Sequence, residues 1–242
     1  MLANLSVILV QPRFPENIGM AARACANMGC PEMRVVCPER WSMAKAAKLA
    51  TSQGQPILEA MTFHPDLEDA LIGCHAAWGA SARRRGGRQP YTTPWQAAEK
   101  IIRQTGSGEH RALVFGPEDR GLSNSELALL NGVIHIPANP GASSLNLAQA
   151  VLILLYECRK AEARPQEAPA QPAGATLDEL ALLESALRKA LTSLDCLHGK
   201  GSGHYFAAWH NMLLKMRPTR REFDLLMGLC RQIGNKTGSG LN

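Results

Sequence analysis

Residues 5–37 read LSVILVQPRFPENIGMAARACANMGCPEMRVVC. Leu5–Val10 is a short apolar run with β-branched residues, and it predicts a strand. Glu16–Met28, with Pro15 at its mouth and Gly29 at its end, predicts a helix. Met33–Cys37, closed by Pro38, predicts a second strand. Downstream the alternation continues. Met43–Ala50 is helical by composition, and Pro65–Ile72 reads as a short acidic helix leading to a third strand, His75–Gly79. Pro94–Gln104 predicts a helix, Ala112–Phe115 a fourth strand, Ser123–Leu130 a helix and Val133–Ile136 a fifth strand. Ser143–Arg159 is a long helix, apolar nearly all round, so it should be buried. Strands separated by helices imply an α/β fold, a mostly parallel sheet covered on both faces.

The character changes at Arg164–Ala175, RPQEAPAQPAGA, which reads as a semi-extended linker. Thr176 then opens a helix as TLDE, a capping box, and leucines at helical spacing run on towards Leu197. Gly199–Gly203 breaks the pattern. His204–Lys215 and Thr219–Ile233 are two further amphipathic helices, parted by Pro218, and Thr219 with Glu222 again has capping-box spacing. The organisation expected is an α/β domain over 1–163, a linker over 164–175 and a small helical region over 176–242. The net charge is +5, and residues 176–242 hold 9 Lys/Arg against 6 Asp/Glu, so the tail carries +3 of it. A basic appendage beside a nearly neutral domain suits a nucleic-acid grip, though a solvated helix face explains the charge equally well.

Composition narrows the function classes. Of 242 residues 45% are hydrophobic, which excludes wholesale disorder. The longest apolar run, Ala150–Tyr156, falls far short of the roughly 20 residues a bilayer needs, so no membrane partner is expected. The opening MLANLSVILVQPR has no basic region before its apolar run and does not resemble a signal peptide, which points to the cytoplasm. Seven cysteines show no CxxC pair and no metal-ligand spacing, so no metal site is expected. Cys25, Cys37, Cys74, Cys158 and Cys230 read as small buried hydrophobes. His64, His75, His110 and His135 are scattered and read as structural.

Three polar, glycine-bearing segments fall just after expected strands, where ligands of open parallel sheets bind. The first runs from Pro15 to Arg23 and holds Asn17, Gly19 and Arg23; Gly19 and the alanines permit close approach by another backbone. In the second, Phe115 to Ser123, Gly116 and Gly121 bracket an acidic loop in which Glu118 can accept hydrogen bonds. It is neither GxGxxG nor a P-loop, which disfavours a dinucleotide site. The third, Ile136 to Ala148, offers Ser143 or Ser144 as cap of the long helix and puts Asn146 in its first turn, near backbone N–H donors. A fourth loop after the third strand, Gly79 to Arg85, ends in three arginines whose forks match phosphates. Taken singly, each is also explained as an ordinary helix start, turn or exposed loop.

Together these segments resemble the three motifs of the SpoU branch of the SPOUT RNA methyltransferases: N-x-G-x-x-x-R, F-G-x-E-x-x-G-L and I-P-x-N-P-x-x-S-S-L-N-L-A, in order from Leu5 to about Arg159. The GxSARRR loop and the helical tail resemble more particularly the tRNA ribose 2′-O-methyltransferases of the TrmJ group, whose target is the ribose of nucleotide thirty-two in the anticodon loop. The resemblance implies a trefoil knot at the C-terminal end of the α/β domain, a homodimer and tRNA or another structured RNA as partner. It implies S-adenosylmethionine as cofactor, held by Ala80, Ser81, Ala82, Gly116, Glu118, Leu122, Ile136, Ser144, Leu145 and Asn146. It also implies that Arg23 of one subunit acts beside the cofactor of the other, with Asn17, Ser144 and Asn146 completing the catalytic set. A guanidinium gives up its proton too reluctantly to make Arg23 a good base, which favours a role in stabilising the developing alkoxide and clamping a phosphate. Two other readings compete: a methyltransferase for another tRNA position or ribosomal RNA, and a non-catalytic RNA-binding homologue.

Overall fold

The computed structural model describes residues 2–82, 91–103, 108–164, 173–194 and 202–237. The Arg83–Arg85 loop, Gln104, most of the linker, Leu197 and most of the Gly199–Gly203 break lie outside them. Two compact units divide the chain, Met1–Gln171 and Pro172–Asn242.

In the first unit the strands are β1 (Leu5–Val10), β2 (Glu32–Val36), β3 (Thr62–His64), β4 (Ala76–Ala80), β5 (Tyr91–Thr92), β6 (Arg111–Phe115) and β7 (Gly132–Ile134). They form one parallel sheet in the order β3-β2-β1-β6-β4-β7-β5. The five expected strands are its interior, and β1, β4 and β6 are buried along nearly their whole length. The two strands the sequence did not announce, β3 and β5, are its edges. At three and two residues they are too short to show alternation, and short edges limit unwanted pairing between chains.

Helices α1 (Pro15–Met28), α2 (Met43–Ala60), α4 (Pro94–Arg103) and α6 (Leu147–Glu162) share one core with Val7, Leu9, Val35, Leu113, Phe115 and Ile134 of the sheet. The short α3 (Leu67–Ala70) and α5 (Asn124–Ala128) belong to the remaining crossovers, and Leu122, Leu127 and Leu130 crowd over Gly79 of β4. α6 is buried along Val151, Leu154, Leu155 and Cys158, while Leu152 and Tyr156 are exposed, so burial is one-sided rather than all round.

The α1–α2 contact brings two backbones together. A methyl group added to Gly19 would lie 2.0 Å from the Ala46 carbonyl oxygen, and one added to Gly54 would lie 2.8 Å from the Arg23 nitrogen. The close approach expected at Gly19 is therefore real, and α2 is the element that makes it. α2 itself outruns its expected end at Ala50. Its helical turns are interrupted at Thr51 (φ 58°, ψ 177°) and resume to Ala60, with Pro56 inside. The break turns Gly54 onto α1.

Two smaller corrections concern cysteine and helix capping. Cys37 is exposed, because β2 stops at Val36 and the chain turns at Cys37 with φ 39°. Cys25, Cys74, Cys158 and Cys230 are buried, and burial pushes the Cys158 thiol up to about 12. The long helix begins at Leu147 with Asn146 as its N-cap, so neither Ser143 nor Ser144 caps it.

The second unit is helical: α7 (Leu177–Ser193), α8 (Ser202–Met216) and α9 (Arg220–Lys236). Both expected capping boxes are formed, Thr176 with Glu179 and Thr219 with Glu222. Arg220 of α9 bonds Glu179 of α7, tying the two caps together. Leu177, Leu180, Leu183 and Leu187 bury one stripe of α7.

Two measurements check this packing. Gly19→Ala should destabilise the protein by about 1–3 kcal/mol in urea unfolding, because α2 must retreat. Gly29→Ala meets no neighbour and carries only the strain of a left-handed cap at φ 75°. It should cost less, about 1 kcal/mol. At the rim of β2, the His110 ring 3.0 Å from Glu32, and after it Arg34, hold the Glu32 carboxyl at about 2 against the opposing pull of burial. That group stabilises the fold only while ionised. The Tm difference between wild type and Glu32→Gln should therefore be present at pH 7 and close as the pH falls from about 4.5 to about 2.

Candidate active site

Each of the three sequence segments leaves the C-terminal end of a strand. After β1, Gln11–Phe14 leads to α1, whose first residue is Pro15, so Asn17 stands in the first turn with its amide N–H bonded to the Phe14 carbonyl at 3.0 Å. Asn17 is only 6% exposed. After β6, the chain closes a tight loop. The Gly121 N–H donates to the Pro117 carbonyl at 2.9 Å, and a methyl group on Gly116 would lie 2.4 Å from Gly121 and Leu122. Only glycine fits at 116, and Gly121 adopts φ 65°. After β7, the chain passes through a 3₁₀ turn at Pro140–Ala142, braced by Asn139, before Asn146 caps α6.

Side chains from these three segments bond one another directly. Asn17 Nδ2 donates to Glu118 Oε1 at 2.6 Å, and Asn146 Nδ2 donates to Asn17 Oδ1 at 2.9 Å. Asn146 Oδ1 accepts from the Ala148 and Gln149 backbone N–H groups at 3.0 and 3.4 Å. The second Glu118 oxygen accepts the Arg13 backbone N–H at 3.0 Å. Every orientation in this chain is forced. An ionised carboxylate only accepts, so Asn17 must offer it the NH₂ end and turn its oxygen to Asn146. Asn146 must then give its NH₂ to Asn17 and its oxygen to the helix terminus.

Around this chain lie two cavities. One, of about 220 Å³, is lined by Ala80, Ser81, Ala82, Gly116, Glu118, Leu122, Ile136, Ser144 and Leu145, together with Arg120 and Leu147 among others. The Ser81 N–H donates to the Ile134 carbonyl at 2.9 Å, which fastens the loop after β4 to the end of β7 beside this cavity. The second, of about 510 Å³, is lined by Phe14, Glu16, Asn17, Glu118, Ser144, Leu145 and Asn146. The expected site residues thus converge, with one exception. Arg23 is exposed on α1, lines neither cavity and makes no hydrogen bond or ion pair among the described residues.

Sequence reading missed the braces around the site. Arg13 reaches Asp119 at 2.9 Å and Glu39 at 3.2 Å, while Arg120 reaches Gln11 at 2.7 Å and Glu126 at 3.2 Å. These two arginines lace the loop after β1 to the loop after β6. The only local signal at Arg13 is its place between Pro12 and Pro15. The histidines take structural partners: His64 bonds Asp69 and Thr62, and His135 lies against the Ser81 carbonyl. No group of three or more His, Cys, Asp or Glu among the described residues could hold a metal ion. No helix among them is long and apolar enough to cross a membrane.

Comparison with known proteins adds the following. The model of the SpoU rRNA Methylase family matches residues 4–156. A tRNA (cytidine/uridine/adenosine-2′-O-)-methyltransferase, TrmJ of Pseudomonas aeruginosa (strain UCBPP-PA14), is 33% identical over 253 residues, covering 100% of this chain and 98% of its own. The tRNA (cytidine/uridine-2′-O-)-methyltransferase TrmJ of Yersinia pestis (strain Pestoides F) is 33% identical over 96% of this chain and 92% of its own. Among solved structures, TrmJ from Z. mobilis ZM4 superposes with a TM-score of 0.78 at 30% identity, covering 94% of this chain and 98% of that one.

Glu118→Gln tests the hydrogen-bond chain. An amide at 118 must point its NH₂ at one of two donors, Asn17 or the Arg13 N–H. An unmet buried bond of this kind costs about 1–3 kcal/mol. Urea unfolding should show a loss of about 1–3 kcal/mol, with the native helical content unchanged by circular dichroism.

Proposed function

Because the chain belongs to the SpoU rRNA Methylase family, we propose that it moves a methyl group from S-adenosylmethionine to a ribose 2′-hydroxyl of tRNA. The observation that carries this reading is the bonded chain Glu118–Asn17–Asn146, which unites the three motif segments beside a cavity. That cavity suits the cofactor in chemistry. Ala80, Ala82, Leu122, Ile136 and Leu145 give apolar walls for a purine ring, and Ser81, Glu118, Asp119, Arg120 and Ser144 give the same space a polar edge for the rest of the cofactor. When bound, the cofactor supplies a methyl on a sulfonium, whose departing thioether is neutral and needs no acid.

The difficulty left to the protein is a weak, protonated nucleophile and the alignment of three atoms. Positioning contributes on the order of 7–11 kcal/mol where geometry is right. Ser144 lines both cavities and Asn146 the second, and these two orient the ribose hydroxyl. Arg23 lines neither cavity of its own subunit, which supports its acting across a homodimer, beside the cofactor of the twin subunit. Its guanidinium there stabilises the developing alkoxide and holds the adjacent phosphate. The loops after β6 and β7 thread as a trefoil knot and hold the site rigid. The target is the anticodon loop at nucleotide thirty-two, and the enzyme works in the cytoplasm, with the basic helical unit adding to the RNA grip.

Incubation with unmodified tRNA and S-adenosylmethionine, followed by mass spectrometry of the digested RNA, tests this. One ribose-methylated nucleotide should appear in the anticodon loop; a methyl on a base overturns the reading. Arg23→Lys keeps the charge and loses the fork. Its turnover should drop about 10²- to 10³-fold while cofactor affinity stays within about threefold. Wild-type turnover in that variant removes Arg23 from the reaction.

A further inference from the structure

Phe14 occupies a position that stability does not explain. It is the N-cap of α1, with extended backbone (φ −117°, ψ 119°) and no side-chain hydrogen bond to the helix. Ser, Thr, Asp or Asn would satisfy an orphan N–H there, and phenylalanine does not. Nor does its ring serve the core, since Phe14 is 47% exposed. The backbone that carries it is nonetheless fixed. Arg13, before it, is bonded to Glu118, Asp119 and Glu39, and Pro15, after it, is buried. The Phe14 carbonyl accepts the amide N–H of Asn17 at 3.0 Å. An exposed aromatic ring is thus held on a rigid rim, and it lines the open cavity together with Asn17, Glu118, Ser144 and Asn146.

We propose that Phe14 is the stacking platform for the base of the nucleotide whose ribose is methylated. This inference rests on the methyl-transfer reading above and names how the substrate is held. A ribose presented to Ser144 and Asn146 brings its base into the open cavity, and the aromatic residue among those lining it is Phe14. Aromatic faces recognise splayed single-stranded bases by stacking, and every base has such a face. Recognition by Phe14 is therefore tolerant of base identity. Discrimination between C, U and A at the target should stay within about tenfold.

The experiment compares wild type with Phe14→Ser, Phe14→Leu and Phe14→Trp on an unmodified tRNA transcript, reading kcat, the KM for tRNA, cofactor affinity and Tm. Phe14→Ser supplies the missing helix cap, so its Tm should hold or rise while its KM for tRNA rises roughly 5- to 100-fold. Phe14→Leu keeps apolar bulk without a π-face and should show a similar rise. Phe14→Trp should restore KM to within about threefold of wild type. Cofactor affinity should stay within about twofold throughout. An unchanged KM in Phe14→Ser, or a Phe14→Leu variant equal to wild type, overturns the proposal; so does a parallel loss of cofactor affinity. A wild-type protein that transfers no methyl to RNA overturns the methyl-transfer reading instead, and that result is separable because it does not depend on residue 14.

Discussion

One half-buried carboxylate organises the site. Glu118 accepts from Asn17 on one oxygen and from the Arg13 backbone on the other, the first donor in the opening turn of α1 and the second in the loop that follows β1. Because a carboxylate cannot donate, it fixes which end of Asn17 faces Asn146, and so which end of Asn146 faces the terminus of α6. Residues 17, 118 and 146 are remote in sequence, and a single acceptor sets the orientation of all three. Arg13 and Arg120 brace the same two loops from outside. Exposed ion pairs of this kind are worth little in stability. Their consequence is geometric: the rim of the cavity has few ways to move.

The frame behind the loops rests on close packing rather than on polar bonds. Gly19 and Gly54 let α1 and α2 meet backbone to backbone, which leaves no slack at the helix that bears both Asn17 and Arg23. On α1 these two residues are six apart, and at roughly 100° per residue they point about 120° away from each other. One helix therefore supplies Asn17 to its own cavity and Arg23 to the exterior. The proposed action of Arg23 across a dimer uses that divergence.

Much of this was legible in the sequence, for identifiable reasons. The interior strands lie in apolar runs, β-branched in β1, β2, β6 and β7 and small or aromatic in β4, so they announce themselves, whereas the polar-flanked edges β3 and β5 do not. The second half of α2 was hidden because TSQGQP looks like a breaker; the chain does break at Thr51, and then resumes its helix. Ser143, Ser144 and Asn146 are all good caps by local preference. Tertiary contact decides among them, since Asn146 can cap α6 and bond Asn17 at once. Cys37 ends an apolar run and so looked buried, but the turn that follows β2 exposes it. The convergence of the cofactor residues expected from the resemblance, from Ala80 to Asn146, is visible only in three dimensions, and the roles of Arg13 and Phe14 carry no motif at all.

The helical unit stands apart in character, with paired capping boxes joined through Arg220 and Glu179 and a positive balance of charge. Among the described residues, none of this unit lines either cavity. Hydrogen–deuterium exchange with and without saturating S-adenosylmethionine tests the central claim most directly, because it reads every segment in one experiment. Amides in 80–82, 116–122 and 134–146 should gain protection together on cofactor addition, with α7, α8 and α9 unaffected. Protection confined to one of those segments, or appearing only in the helical unit, would contradict a single pocket built by all three.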